Sequence, residues 1–433
     1  MTTESRLTRD LPEILGDLAI GPYPDYIDDV LAASAMIRQR PTWAFLERWF
    51  PVVDIVRQAV GVPRLPWRSI ALAIVLLGLL LAAAAVYVGS QQRIPAPFGL
   101  ARNGLVAYDA GGDIYTVDPV TGAATKIVSG PGLDVRPRFS LDGTRIVFER
   151  QVDVARSELY IVRPDGTNLT RVTPEPVALA PGGSGRAWER YKFSPEGQSV
   201  LIATMDQGLP AIAIARSDGG GIRRLDVGMP ATEPTYRPPD GGEVLFIGRG
   251  SDLGLFVVNL STNEIRQIVK TPIGFDLAGA NWSPDGSKIT YWTWNVNGDG
   301  LTVKSHTVNA DGTVDRELPA PPGAIWNAHA TWSNDGKSLF IARGYTPGED
   351  DVRGVVIPAD GSSVGVEVAP AGFVETDCCA AWVWAPDDSK LLGRAAPALG
   401  GPLPPTIVDL AARTTRLAPW STTSDPTWER LAP

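Results

Sequence analysis

The chain has 433 residues and carries 39 Lys and Arg against 48 Asp and Glu, a net charge of −9. That balance offers no basic face for nucleic acid, and a chain this long forms one domain only if it is built from repeats. The two neighbouring cysteines, Cys378 and Cys379, exclude a disulfide framework or a multi-Cys zinc site, and two histidines, His306 and His329, leave little for metal ligation or a His-dependent triad.

Residues 1–68 come first. Leu11, Ile14, Leu15 and Leu18 follow i, i+3, i+4, i+7 spacing, which predicts a short amphipathic helix. Gly21-Pro22-Tyr23-Pro24 ends it, and Ile27, Val30 and Leu31 open a second helix that stops before Pro41. Two short helices bury little surface. The segment is therefore expected either to lie on a lipid interface or to dock a cytoplasmic partner.

Residues 69–88, SIALAIVLLGLLLAAAAVYV, hold 20 positions without a charge. A helix of that length spans roughly the 30 Å hydrocarbon core of a bilayer, so a transmembrane helix is predicted. Arg38, Arg40, Arg48, Arg57, Arg64 and Arg68 precede it, whereas Arg93 and Arg102 are the only cations soon after it. The positive-inside rule then puts the N-terminus in the cytoplasm and the rest outside, a single-pass arrangement. A linker, 89–103, leads to the outer region, 104–433.

One pattern recurs through the outer region: an aromatic residue, Ser or Pro, an Asp-Gly turn, and an apolar strand. The copies begin at Phe139, Phe193, Tyr236, Trp282, Trp332 and Trp384. Ile146, Val200, Ile289, Leu339 and Leu391 each stand seven residues after their aromatic; Val244 needs eight, because its copy holds an extra Pro. Pro and Asp-Gly supply a tight turn, so each copy reads as an aromatic-bearing strand turning into an antiparallel one. Two further strands follow, such as DIYTVD at 113–118, and four antiparallel strands per repeat are the signature of propeller blades. The first repeat lacks its aromatic strand, and the chain ends on an orphan one around Trp428. Pairing the two closes a seven-bladed all-β propeller; six blades with flanking segments is the alternative.

The WSPDG-type repeat followed by a D-I-Y-type strand resembles the TolB-like β-propellers of bacteria across residues 104–433. The resemblance implies the fold. It leaves function open, because related propellers serve as binding scaffolds, peptidase gates and sensors.

Several constellations could carry chemistry. The connections leading into the inner strands carry acids, Asp134, Glu189, Glu233, Asp276, Asp377 and Asp425, which with His329 are expected to ring a cation-attracting funnel. Cys378 and Cys379 sit on one such connection and could close a vicinal disulfide outside the cytoplasm. Asn295, Asn297 and Asp299 resemble the start of a calcium loop, although its twelfth position is His306 rather than a bidentate Glu; no other cofactor is expected. Gly361-Ser-Ser363-Val-Gly365 matches a nucleophile elbow, but its place between the third and fourth strands of a blade predicts a hairpin turn.

The expected function is a membrane-anchored, non-enzymatic scaffold recognising a protein, peptide or envelope polysaccharide at that funnel. One rival is an anti-sigma-like transmembrane regulator with the propeller as sensor, although the His-Cys-Cys zinc motif of that class is absent. Another is a propeller enzyme, a lyase or hydrolase at the funnel.

Overall fold

The computed structural model describes residues 71–80, 98–180, 190–296, 303–346, 351–372, 382–394 and 402–432. Residues 71–80 are helical. They fall in the first of two compact units, Met1–Ala84; the second, Ala85–Pro433, holds the propeller. Among the described residues no helix is long and apolar enough to cross a membrane; the remainder of the predicted span, 69–70 and 81–88, lies outside them, as do residues 1–68.

The propeller consists of seven four-stranded antiparallel sheets. Blade 1 is completed by the C-terminal strand Thr427–Leu431, which pairs with Arg102–Ala110 in the register Val106↔Trp428 and Ala107↔Thr427. The seven-blade closure therefore holds, and the six-blade alternative does not. The other inner strands are Leu133–Phe139, Tyr191–Phe193, Ala231–Tyr236, Phe275–Trp282, Trp326–Trp332 and Val383–Trp384, for blades 2 to 7. The second strands are almost wholly buried, as in Glu243–Gly248, and the outermost mostly exposed, as in Ile222–Leu225.

The core lies between the blades. Each gap holds one apolar cluster, and each cluster contains one of the repeated aromatics. Phe193 packs with Val147, Leu159 and Ile202 between blades 2 and 3. Trp282 packs with Leu245, Val257 and Ile289 between blades 4 and 5. Trp428 packs with Val106, Leu392 and Ile407 where blade 7 meets blade 1. In blades 2 to 7 the aromatic thus ends the inner strand because that position faces the neighbouring sheet, and a large ring fills the wedge between twisted blades.

The Ser-x-Asp-Gly turns fold by local bonding. Ser140 Oγ donates to Asp142 Oδ1 at 2.5 Å, Thr144 N–H to the same oxygen at 3.0 Å, and Gly143 N–H to Ser140 O at 2.9 Å. Ser283 with Asp285 and Ser333 with Asp335 repeat the pattern. Gly143 has φ +71°, and a Cβ there would stand 2.2 Å from Arg430 O of blade 1, so glycine is needed for both conformation and close approach. In blade 7 the fourth residue is Asp388, with φ +59°. Its carboxylate accepts Asn334 N–H and Asp335 N–H of blade 6 at 2.8 and 2.9 Å. Gly361-Ser-Ser363-Val-Gly365 lies in the hairpin between Val352–Pro358 and Val366–Ala369, with Gly361 N–H on Pro358 O.

Candidate functional site in the central channel

The residue just before each aromatic faces the axis. Asn281, Thr331, Val383 and Thr427, all at that register, line one cavity of about 300 Å³. Lys192 reaches from blade 3 to Thr235 Oγ1 of blade 4 at 3.4 Å and to Asn281 Oδ1 of blade 5 at 3.1 Å. A contact that skips a whole blade runs through the channel. At this register blades 2 and 3 contribute Arg138 and Lys192, whereas blades 4 to 7 and blade 1 contribute Thr235, Asn281, Thr331, Val383 and Thr427.

Two positions earlier the inner strands bulge. The pairing register skips between Val135 and Arg138, Thr232 and Thr235, Ala278 and Asn281, and Ala328 and Thr331. Inside the bulges Arg136, Glu233, Gly279 and His329 take φ of +56°, +53°, +67° and +61°. A bulge re-aims its side chain and leaves it out of the ladder, so this layer is free to vary in chemistry. Arg136 and Arg190 share Glu149, at 3.3 and 3.4 Å, and Glu149 also accepts Ser157 Oγ at 2.6 Å. Burial lowers the Arg190 pKa, with the Arg136 charge adding to the effect, and burial likewise raises Tyr191, whose hydroxyl donates to Arg136 O.

Glu233 is the group whose titration bears most on chemistry. Its Oε2 accepts Gly279 N–H at 2.7 Å, while its Oε1 is buried without a hydrogen-bond partner. Burial pushes its pKa above the ordinary carboxylate value, outweighing the opposing pull of the Gly279 N–H, Arg249 and Lys192. A carboxyl group shifted toward its protonated form is suited to donate a proton.

The residues expected to form an acidic ring are placed as follows. Asp134 is fully buried and held bidentately by Arg150, at 2.7 and 2.8 Å. Asp276 pairs with Arg249 at 2.5 Å. Asp425 stands 3.8 Å from Arg138, whose Nη1 donates to the Asp425 carbonyl at 2.7 Å. His329 sits in the blade 6 bulge, 7% exposed, its ring 5.4 Å from that of Trp292. Glu189, Asp377, Cys378 and Cys379 lie outside the described residues, as do Asn297 and Asp299; Asn295 ends the second strand of blade 5.

Among the described residues the expected acidic ring is met by cations. Each aspartate meets an arginine, Glu233 is held toward its neutral form, and Arg136, Arg138 and Lys192 gather on two adjacent inner strands, with Arg190 just before the second. Aligning the repeat copies on their aromatics and reading the residues one and three places earlier would have found these cations, which attention to the acids alone passed over.

No family model matches the chain. Among solved structures, an oligogalacturonate lyase in complex with manganese is 18% identical, with a TM-score of 0.53, covering 69% of this chain and 82% of its own. The oligogalacturonate lyase of Vibrio parahaemolyticus is 16% identical, with a TM-score of 0.52, covering 74% and 90%. TolB from Acinetobacter baumannii is 14% identical, with a TM-score of 0.47, covering 75% and 81%. At these identities the likeness is one of fold, that of a seven-bladed propeller. The comparison runs against the expectation of a non-enzymatic scaffold, since two oligogalacturonate lyases and a prolyl endopeptidase share the fold at TM-scores of 0.53, 0.52 and 0.51, a likeness of fold alone. Manganese belongs to the first of them. Among the described residues of this chain no three His, Cys, Asp or Glu side chains group as metal ligands.

Proposed function

We propose that the propeller is an enzyme that holds a carboxylate-bearing saccharide in its channel and cleaves it by β-elimination. The observation that carries this reading is the cluster of Arg136, Arg138, Arg190 and Lys192 along the inner strands of blades 2 and 3, beside Glu233, whose Oε1 is buried. A substrate carboxylate between Arg138 and Lys192 is partly neutralised, which acidifies the neighbouring C–H. His329, in the matching bulge of blade 6, is assigned the base that takes this proton. Glu233 donates a proton to the glycosidic oxygen as its C–O bond breaks and a C=C bond forms. The lyases of the same fold support the choice of reaction, since this chain spans 82% and 90% of their lengths.

The test is incubation of the purified full chain with a panel of uronate oligosaccharides, following the ultraviolet absorbance of the unsaturated product. Product that disappears in Lys192→Met and Arg138→Met supports the reading. No unsaturated product from any uronate would overturn it.

We also infer that residues 69–88 anchor the chain in a membrane, with the propeller outside the cytoplasm. Within 71–80, Leu72, Ile74, Leu79 and Leu80 are 61–67% exposed. A helix presenting large apolar side chains on every side suits lipid rather than water. Membrane pellets washed at alkaline pH should retain the chain; its release into the wash would defeat the anchor.

A further inference from the structure

The two ends of the channel are built differently. At the turn end, the walls of the 300 Å³ cavity come from blades 1, 2, 4, 5, 6 and 7, and from two residues that belong to no blade, Phe98 and Gly99. A segment that shares a cavity with six of the seven blades lies over the axis. Two bonds tie it there, and a third holds the arginine that makes one of them. Arg430, on the closing strand, is 7% exposed and donates to Gly99 O at 2.6 Å and to Asn334 Oδ1 of blade 6 at 2.7 Å. Ala101 N–H donates to Pro386 O of blade 7 at 2.9 Å. A buried guanidinium with two such acceptors fixes the strap in one place, because losing either would leave a desolvated charge short of partners.

The cavity above the strap continues into the cationic section. Asn281 lines the cavity and also accepts Lys192 Nζ. The other axis-facing groups of the cavity, Thr331, Thr427 and Val383, are neutral. At about 300 Å³ it is at the small end of ligand pockets, with room for a single ring.

Taking the channel as the site of elimination, as proposed above, we propose that the strap Phe98–Ala101 closes the turn end. The cavity is then a blind subsite for the terminal unit of an oligomeric substrate. The substrate enters from the opposite end, its last ring resting over the strap and its carboxylate at Lys192. A closed floor forbids passage of a polymer through the ring, so cleavage starts from chain ends.

Two measurements test this separately from the activity itself. The first is thiol labelling of Thr427→Cys in the full chain, with Cys378 and Cys379 changed to Ser, using a small maleimide. Opening the strap with Phe98→Ala or Arg430→Gln is expected to raise the labelling rate by about ten-fold or more. Equal rates with and without the strap contacts, in variants shown folded by circular dichroism, overturn the closure. The second is the product profile on a long uronate chain. Release of end-derived short units from the first time points supports the blind subsite; internal cuts giving products of mixed length overturn it. If no uronate is cleaved at all, the elimination reading and the subsite built on it both fail, while the labelling arm still decides whether the strap closes the channel.

Discussion

The turn end of the inner strands and the bulged section one turn of backbone away are made of the same seven strands, yet they obey different rules. At the turn end the blades are nearly copies. The aromatic fills the gap to the next sheet, and Ser, Asp and Gly close the hairpin, from Ser140-Leu-Asp142-Gly143 to Ser333-Asn-Asp335-Gly336. In the bulged section the blades differ, with Arg136 and Arg138 in one, Glu233 and Thr235 in another, His329 and Thr331 in a third. Packing dictates the first region in every blade. The second has no packing duty in common, so its chemistry can be distributed unevenly around the ring. The fold is held by what repeats, and the site is made by what does not.

The comparison breaks most severely if the turn end is damaged where the ring closes. Deleting residues 425–433 removes Trp428 from its cluster and strips Arg102–Ala110 of its partner strand. Loss of a buried Trp alone costs about 3–5 kcal/mol, and an open sheet edge adds to it. The truncated propeller should fail to show a cooperative melt. A melting temperature equal to that of the full chain would mean that closure is not what holds the ring.

A smaller loss is expected at single glycines, and it should differ between them. At Gly286, with φ +67°, a Cβ would lie 2.1 Å from Pro238 O. Gly286→Ala therefore meets both backbone strain and a neighbouring carbonyl, and should cost roughly 2–4 kcal/mol in denaturant unfolding. At Gly336, with φ +71°, the nearest atom is the Pro284 side chain at 3.6 Å, so only the strain applies. Gly336→Ala should cost about 1–2 kcal/mol. Equal losses at the two sites would show that inter-blade contact adds nothing to the turn.

Substitutions in the bulged section should reverse the pattern. Lys192→Met is expected to leave stability within about 1 kcal/mol of the parent. It should also lower kcat/KM on a uronate substrate by about 100-fold or more, as loss of a charge that faces the reacting group does. Glu233→Gln removes the acid whose pKa burial raises. The alkaline limb of the pH–rate profile should flatten in that variant, since the limb reports deprotonation of the acid. A profile unchanged in shape would assign the acid to another group.

How much of this was legible in the sequence follows from the same division. The blade count, the inner strand ends and the closure at Trp428 could be read, because each rests on residue types that recur at fixed spacing. The bulges could not. Arg136, Glu233 and His329 adopt left-handed backbone angles without being Gly or Asn, the residues that usually announce them. The pairing of Asp134 with Arg150 was equally hidden, since it joins adjacent strands whose register the bulge shifts, and that of Asp276 with Arg249 was hidden because it joins two blades. Acids read in isolation looked like a funnel; once their partners are known, they brace it.

Asp388 carries the smallest expected effect, because it departs from the repeat by one residue. In the other turns burial would raise the aspartate, but hydrogen bonds win: Ser140 and Thr144 hold Asp142 below its ordinary value, and Ser283 and Ser287 do the same for Asp285. Such groups stabilise the fold above the unfolded pKa, and the contribution fades as pH falls through the folded one. Asp388 runs the other way. Burial raises it above 3.8, and the Asn334 and Asp335 N–H groups only partly offset that. Between 3.8 and its folded pKa the native chain keeps a proton that the unfolded chain has lost. Stability therefore falls as pH rises across that window, and the cost persists above it. Asp388→Gly restores the repeat, relieves the left-handed angle and removes this titration, while giving up the bonds to blade 6. At low pH, where Asp388 is protonated in both states, the parent should compare best with the variant. The comparison should move steadily toward the variant as pH approaches neutrality, which paired thermal melts across that range would show. A difference between the two proteins that stays constant with pH would mean that Asp388 ionises in the native turn as it does in the unfolded chain.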